Sequence, residues 1–158
     1  MRFDAPFKLG PFSIDAEGRL TPYEPSSAPA FLFRWHDRVV RARLDRADAD
    51  TGRLTLQMAL ARVRSSASAT DETLRPRSFM LLHWLERSVP HGWRMALTAD
   101  HYVWLATDMA VGLPITAAGL LTEIACFVLD LAPYLDLMDE VGLTVPRLAA
   151  ATPGGGDA

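Results

Sequence analysis

Leu54, Leu56, Met58 and Leu60 take every second position of one stretch, with Thr55, Gln57 and Ala59 between them. Side chains of a strand alternate between its two faces, so this run lays its large apolar groups on one face of a sheet. Such a face has to be covered. A matching cover follows later in the chain. Leu120, Leu121, Ile124, Phe127, Val128, Leu131, Leu135 and Met138 recur at spacings of one, three and four, the signature of a helix with one broad apolar stripe.

The remaining segments fit between these two. Phe12 and Ile14 alternate with polar neighbours, Asp15-Ala16-Glu17-Gly18 supplies a turn, and Leu20 and Tyr23 resume the pattern, so the start reads as a short hairpin. Pro22, Pro25 and Pro29 make 22–29 a linker. Phe31, Phe33 and Trp35 alternate, His36-Asp37 turns, and Val39 to Leu44 returns. Ser65 to Thr73 is small and polar and reads as a loop. Arg75 to Val89 carries Phe79, Leu82, Leu85 and Val89 near helical spacing and is stopped by Pro90 and Gly92. Trp93, Met95 and Leu97 form a strand, and Ala99-Asp100-His101 a turn. Tyr102 to Ala106 is a strand apolar on both faces. Thr116 is placed to cap the long helix, and Pro133 inside it predicts a kink or a split. The expected fold is α+β: an antiparallel sheet of about five or more strands, two main helices on one face, and an N-terminal hairpin extension. The expected layout is 1–29 as hairpin and linker, 30–146 as one domain, and 147–158 as a disordered tail, on the strength of Pro153-Gly154-Gly155-Gly156.

The 158 residues suffice for one core without disulfide or metal. Cys126 is the single cysteine, which excludes an internal disulfide and a zinc cluster of cysteine type. It sits mid-helix with acids nearest it and reads as a buried small hydrophobe. Met1 to Gly10 has no apolar core of a signal peptide, and Glu123, Asp130 and Asp136 puncture or flank the longest apolar stretch, so the expectation is a cytoplasmic protein that spans no membrane.

Net charge is −3, yet residues 31–94 hold twelve arginines against seven acids while residues 95–158 hold one arginine against eight. Arg34, Arg38, Arg41, Arg43, Arg62 and Arg64, with Trp35 nearby, could line a sheet face and track phosphates. The acidic total and the interruptions at Asp37, Asp45, Asp48 and Asp50 weigh against nucleic acid. The histidines, His36, His83, His91 and His101, show no metal-ligand spacing, and there is no GxGxxG, P-loop or GxSxG. His83 precedes Glu86 by three residues and the two side chains can meet, but no nucleophile accompanies them. No catalytic residue, cofactor or metal is assigned. One alternative is a small enzyme or ligand-binding module with a pocket near His83, Trp93 and His101.

The most informative feature is apolar surplus. Cys126, Leu129, Pro133 and Leu137 form a second line on the long helix, and the strand at 102–106 has two apolar faces. A two-layer domain covers one side of each, which leaves surface for a homodimer or a partner protein. The residues expected there are Tyr102, Trp104, Leu129 and Leu137, with Phe31, Phe33 and Trp35 as a second aromatic face.

Met95 to Leu97, Tyr102 to Leu105, Gly112-Leu113-Pro114-Ile115 and the helix from Thr116 to Glu140 together resemble the second half of the type III secretion chaperone-like fold. That superfamily includes the Tir-chaperone group and the YbjN-like proteins. The resemblance covers about residues 53–141 and lies in the β-hairpin, the short leucine-proline link and the long final helix. The secretion chaperones open with an amphipathic helix where this chain opens with a hairpin, so the likeness is to a YbjN-like or orphan relative. It implies a bacterial, non-enzymatic, chaperone-like or adaptor protein that forms a homodimer and binds a stretch of another protein along its sheet and apolar patches.

Overall fold

The computed structural model describes residues 5–24, 27–63, 74–141 and 143. The expected loop at 65–73, the expected tail and Arg64 lie outside them. Three short strands, β1 (Phe7–Leu9), β2 (Phe12–Ile14) and β3 (Leu20–Pro22), form one antiparallel sheet. A second, five-stranded sheet contains β4 (Ala30–Trp35), β5 (Arg38–Arg46), β6 (Thr51–Arg62), β7 (Trp93–Leu97) and β8 (Tyr102–Gly112) in the order β4-β5-β6-β8-β7. The helices are α1 (Leu74–Ser88), between β6 and β7, and α2 (Ala117–Glu140) at the end. The α+β class, the five antiparallel strands and the two helices are as the sequence predicts.

Register explains the core. Val40, Ala42 and Leu44 of β5 stand opposite Met58, Leu56 and Leu54 of β6, and Leu105 and Thr107 of β8 stand opposite Met58 and Leu56. All are buried, and they share one core with Leu85 of α1 and with Phe127, Leu131, Leu135 and Met138 of α2. Both helices therefore cover the same face of the sheet. The opposite face carries the alternate residues and, among the described residues, has no helix on it. Each fully buried leucine stabilises the fold by about 1.5–3 kcal/mol relative to exposure, so this one interface dominates the free energy of folding.

The N-terminal region differs from a simple hairpin. A third strand, β1, pairs with β2 across the turn at Gly10, whose φ of 56° suits glycine. Phe12, Ile14 and Leu20 of this small sheet are buried in the common core. It is also tied by backbone to the start of α2: the Leu20 N–H donates to the Ile115 carbonyl and the Ala117 N–H to the Gly18 carbonyl, each at 2.9 Å. Residues 5–24 thus close one end of the core and leave the outward side of the helices open.

Pro133 does not split α2, which runs unbroken for 24 residues. The ring is exposed, on the side away from the sheet, where loss of one backbone hydrogen bond leaves the freed carbonyl to water. Thr116 caps the helix as predicted, its side chain accepting from the Gly119 N–H at 3.1 Å. By length and composition α2 could cross a membrane. Here its apolarity has another use, since Leu120, Phe127, Val128, Leu131, Leu135 and Met138 are buried on the sheet.

Candidate interaction site

Strand alternation fixes which of the predicted residues share a surface. Tyr102 and Trp104 stand opposite Arg62 and Ala59 of β6 and belong to the open face. Both are partly covered: the Arg62 guanidinium lies over the Tyr102 ring at 5.3 Å, and Ala59, beside Trp104, is only 1% exposed. Leu129 is 67% exposed on α2, on the other side of the sheet. Tyr102 and Trp104 therefore cannot belong to one interface with Leu129 and Leu137. Leu137 is itself half-buried.

Phe31, Phe33 and Trp35 do not form an open aromatic face. They stand opposite Ala42, Val40 and Arg38 and point to the helix side, where all three pack against the core. Phe31 meets Phe12 edge-on with centroids 6.0 Å apart, so the small sheet covers part of this edge. The Trp35 indole N–H is buried with no hydrogen-bond partner among the described residues.

Two expectations need correction on the arginines and the cysteine. Arg38 shares the parity of Val40 and Ala42 and is 2% exposed beneath the helices, so it is no part of a basic stripe. Its Nε donates to the Leu60 carbonyl, Nη1 to the His36 carbonyl at 3.0 Å, and Nη2 to Asp139 of α2 at 3.2 Å. The Leu60 carbonyl is available because the β6–β8 register slips between Ala59 and Ala61, a bulge that leaves one residue without a partner. Cys126 is exposed, not buried, because it falls on the outward side of α2, one step from the buried Phe127.

The open face is instead lined by Arg34, Arg41, Arg43, Arg53, Arg62 and Arg94, with Thr55, Gln57, Asp45 and Asp108 among them. Arg53 and Arg94 escape the sequence reading, since only the β6–β8–β7 pairing shows that they join the same surface. Arg43 pairs with Asp45 and Arg94 with Asp108, each at 2.8 Å. A concavity of about 490 Å³ opens on this face, lined by Arg41, Arg43, Asp45, Thr55 and Gln57, with Asp45 held by Arg43, and walled by Phe31 and Leu32 of edge strand β4.

The outward side of the helix layer carries large exposed apolar side chains among polar ones such as His83, Arg87, Thr122 and Asp130. Leu121 and Leu129 of α2 are 66% and 67% exposed, and Met80 and Trp84 of α1 are 73% and 54% exposed. Ala125, Cys126 and Pro133 lie exposed along the same side of α2. From Leu121 to Pro133 this line runs roughly 18 Å at the helical rise. Met80 and Trp84, one turn apart, are missed by a reading that follows only the inward stripe of α1. At the upper end, Leu121 also borders an apolar groove of about 250 Å³ formed with Leu9, Pro11, Phe12 and Ile124.

His83, Trp93 and His101 do not converge. Trp93 is at the first residue of β7 and packs against Phe127 and Tyr134, with centroids 5.2 and 6.1 Å away. His101 is in the turn at the far end of that strand, at least about 13 Å away at strand rise. His83 is exposed on α1, and among the described residues it makes no hydrogen bond with Glu86. Among the described residues no three His, Cys, Asp or Glu side chains are grouped to hold a metal.

Three carboxylates are held below their ordinary value of 3.8: Asp108 by hydrogen bonds from the Thr55 hydroxyl and Arg94, Asp15 by Arg19, and Asp48 by the Asp50 backbone and Thr51. A carboxylate with a depressed folded value contributes stability above its unfolded value and loses it as pH falls through the folded one. Stability to urea is therefore expected to decline below about pH 4, and Asp108→Asn to flatten part of that decline. An unchanged acid slope in the variant would remove Asp108 as a contributor.

No family model matches the chain, and neither a curated protein nor a solved structure matches it.

Proposed function

We propose that this chain is a non-enzymatic, cytoplasmic, chaperone-like or adaptor protein that pairs with a second copy through the outward side of its helices and leaves its open sheet face for another protein. The carrying observation is the line of Leu121, Leu129, Met80 and Trp84, all more than half exposed and none covered by the small N-terminal sheet. Exposed apolar side chains scattered singly need no explanation, but four large ones on the outward sides of two helices that cover one sheet face favour association. The length of the line suits an isologous contact, in which the same row meets itself about a two-fold axis. The exposed acids Asp130, Asp136, Asp139 and Glu140 all lie in the C-terminal half of α2, so the axis falls toward the half that holds Leu121 and Ala125. The sequence resemblance to the type III secretion chaperone-like and YbjN-like superfamily, argued from the β7–β8 hairpin, the Leu113-Pro114 link and α2, supports the same reading.

Sedimentation equilibrium tests this directly. The expected result is a monomer–dimer equilibrium with a dissociation constant in the range of about 1–50 μM, or about −8 to −6 kcal/mol. A single monomeric species throughout and beyond that range would refute the pairing. Because apolar burial drives it, added salt is expected to leave the constant unchanged or to tighten it.

A further inference from the structure

We infer that the open sheet face binds a carboxylate-rich segment of a partner polypeptide. This deepens the reading of the chain as a protein-binding module and depends on it. The whole chain is acidic, yet this face gathers six arginines against two carboxylates, Asp45 and Asp108. Both acids stand toward one end, beside Arg43 and Thr55, and each already holds an arginine. Arg34 and Arg41 have no ion-pair partner among the described residues. Arg41 lies between Leu32 and Gln57 in register and lines the 490 Å³ concavity. A guanidinium there presents a planar fork that fits a carboxylate, with the Gln57 amide beside it and Leu32 to cover an aliphatic stem.

The spacing sets what fits. Arg34 stands opposite Val39, two residues before Arg41 on the neighbouring strand, so these two arginines are about 8 Å apart at the usual strand separation and rise. An extended peptide advances about 3.4 Å per residue, which places carboxylates two positions apart over the pair. The face already binds carboxylates by this chemistry within the chain, at Arg43–Asp45 and Arg94–Asp108.

Single-stranded nucleic acid is the competing polyanion, and the rings argue against it. Base binding on a sheet uses open aromatic faces as successive stacking platforms. Among the described residues, alternation places the rings of Tyr102 and Trp104 on this face, both half-buried, while Phe31 at the rim of the concavity has its ring on the helix side. Arg62 covers the first, and the second packs down toward Ala59.

The test is fluorescence anisotropy with the full chain, using labelled oligoglutamate of about ten residues, oligoglutamine of equal length, and oligothymidylate of equal charge. Saturable binding of oligoglutamate that weakens with salt is expected, with none for oligoglutamine. Both unpaired guanidinium forks are removed in Arg34→Gln/Arg41→Gln, so its affinity is expected to fall at least about tenfold. Arg34→Glu/Arg41→Glu is expected to abolish it, while Leu129→Glu, on the other side of the sheet, leaves it intact. That last arm separates the two readings: loss of pairing in Leu129→Glu with peptide binding retained supports both. Absence of oligoglutamate binding, an affinity indifferent to the arginine variants, or tighter binding of oligothymidylate than of oligoglutamate would overturn the inference while leaving the pairing result standing on its own.

Discussion

Arg38→Ala is expected to lower the free energy of unfolding by about 3–4 kcal/mol, a large part of the 5–15 kcal/mol typical of a domain. The cause is the set of acceptors it would strand. Arg38 is fully buried and joins three elements through the bulge carbonyl of Leu60, the turn carbonyl of His36 and Asp139 of α2. Removing it leaves the Leu60 carbonyl without its donor, at about 1–3 kcal/mol, and removes the packing of the aliphatic stem. The Asp139 side chain is 50% exposed, so water replaces the guanidinium there with little loss. Asp139→Asn is therefore expected to cost only about 1 kcal/mol, because both carbonyls still hold the arginine. Arg38→Lys falls between, since one ammonium cannot reach three divergent acceptors. Urea titration of the three variants checks the order. An Asp139→Asn variant as unstable as Arg38→Ala would mean that the ion pair, not the carbonyls, fixes this junction.

Leu121→Glu/Leu129→Glu is expected to convert the dimer to monomer without unfolding it. In an isologous pair each substitution occurs twice, so four leucines leave the interface. Both side chains are two-thirds exposed beforehand, and at about 25 cal/mol per Å² of apolar area, covering roughly 40 Å² of each of the four contributes about 4 kcal/mol, or roughly a thousandfold in the dissociation constant. Four buried glutamates would add repulsion and desolvation to that figure. Because the side chains point away from the sheet, the melting temperature of the monomer should hardly move. Sedimentation of the variant alongside thermal melting distinguishes the outcomes: an unchanged association constant removes the helix side as the interface.

The strands and the inward stripe of α2 were legible because each periodicity is strict. Leu54, Leu56 and Met58 are all fully buried where alternation puts them. Periodicity says that residues share a face but not which face meets which. Hence Tyr102 and Trp104 could be grouped with Leu129 in the sequence, although the pairing of β6 with β8 sets them on opposite sides of the sheet. The same limit hid Arg53 and Arg94, whose place on the open face depends on strand order. Cys126 was misjudged because apolar residues flank it on both sides, and one residue of helix turns the side chain by about 100° from core to solvent. Arg38 was misread for the opposite reason. Its charge suggested surface, whereas its parity with Val40, Ala42 and Leu44 indicated the core, and the acceptor that permits burial comes from a bulge no alternation pattern reveals.

Cys126 sits within the proposed contact and supplies the most direct probe of it. Alkylation of this single thiol by a maleimide reporter, followed from well below to well above the dissociation constant, is predicted to slow as protein concentration rises, and to stay fast at every concentration in Leu121→Glu/Leu129→Glu. A wild-type rate independent of concentration over that range would contradict pairing through the helices.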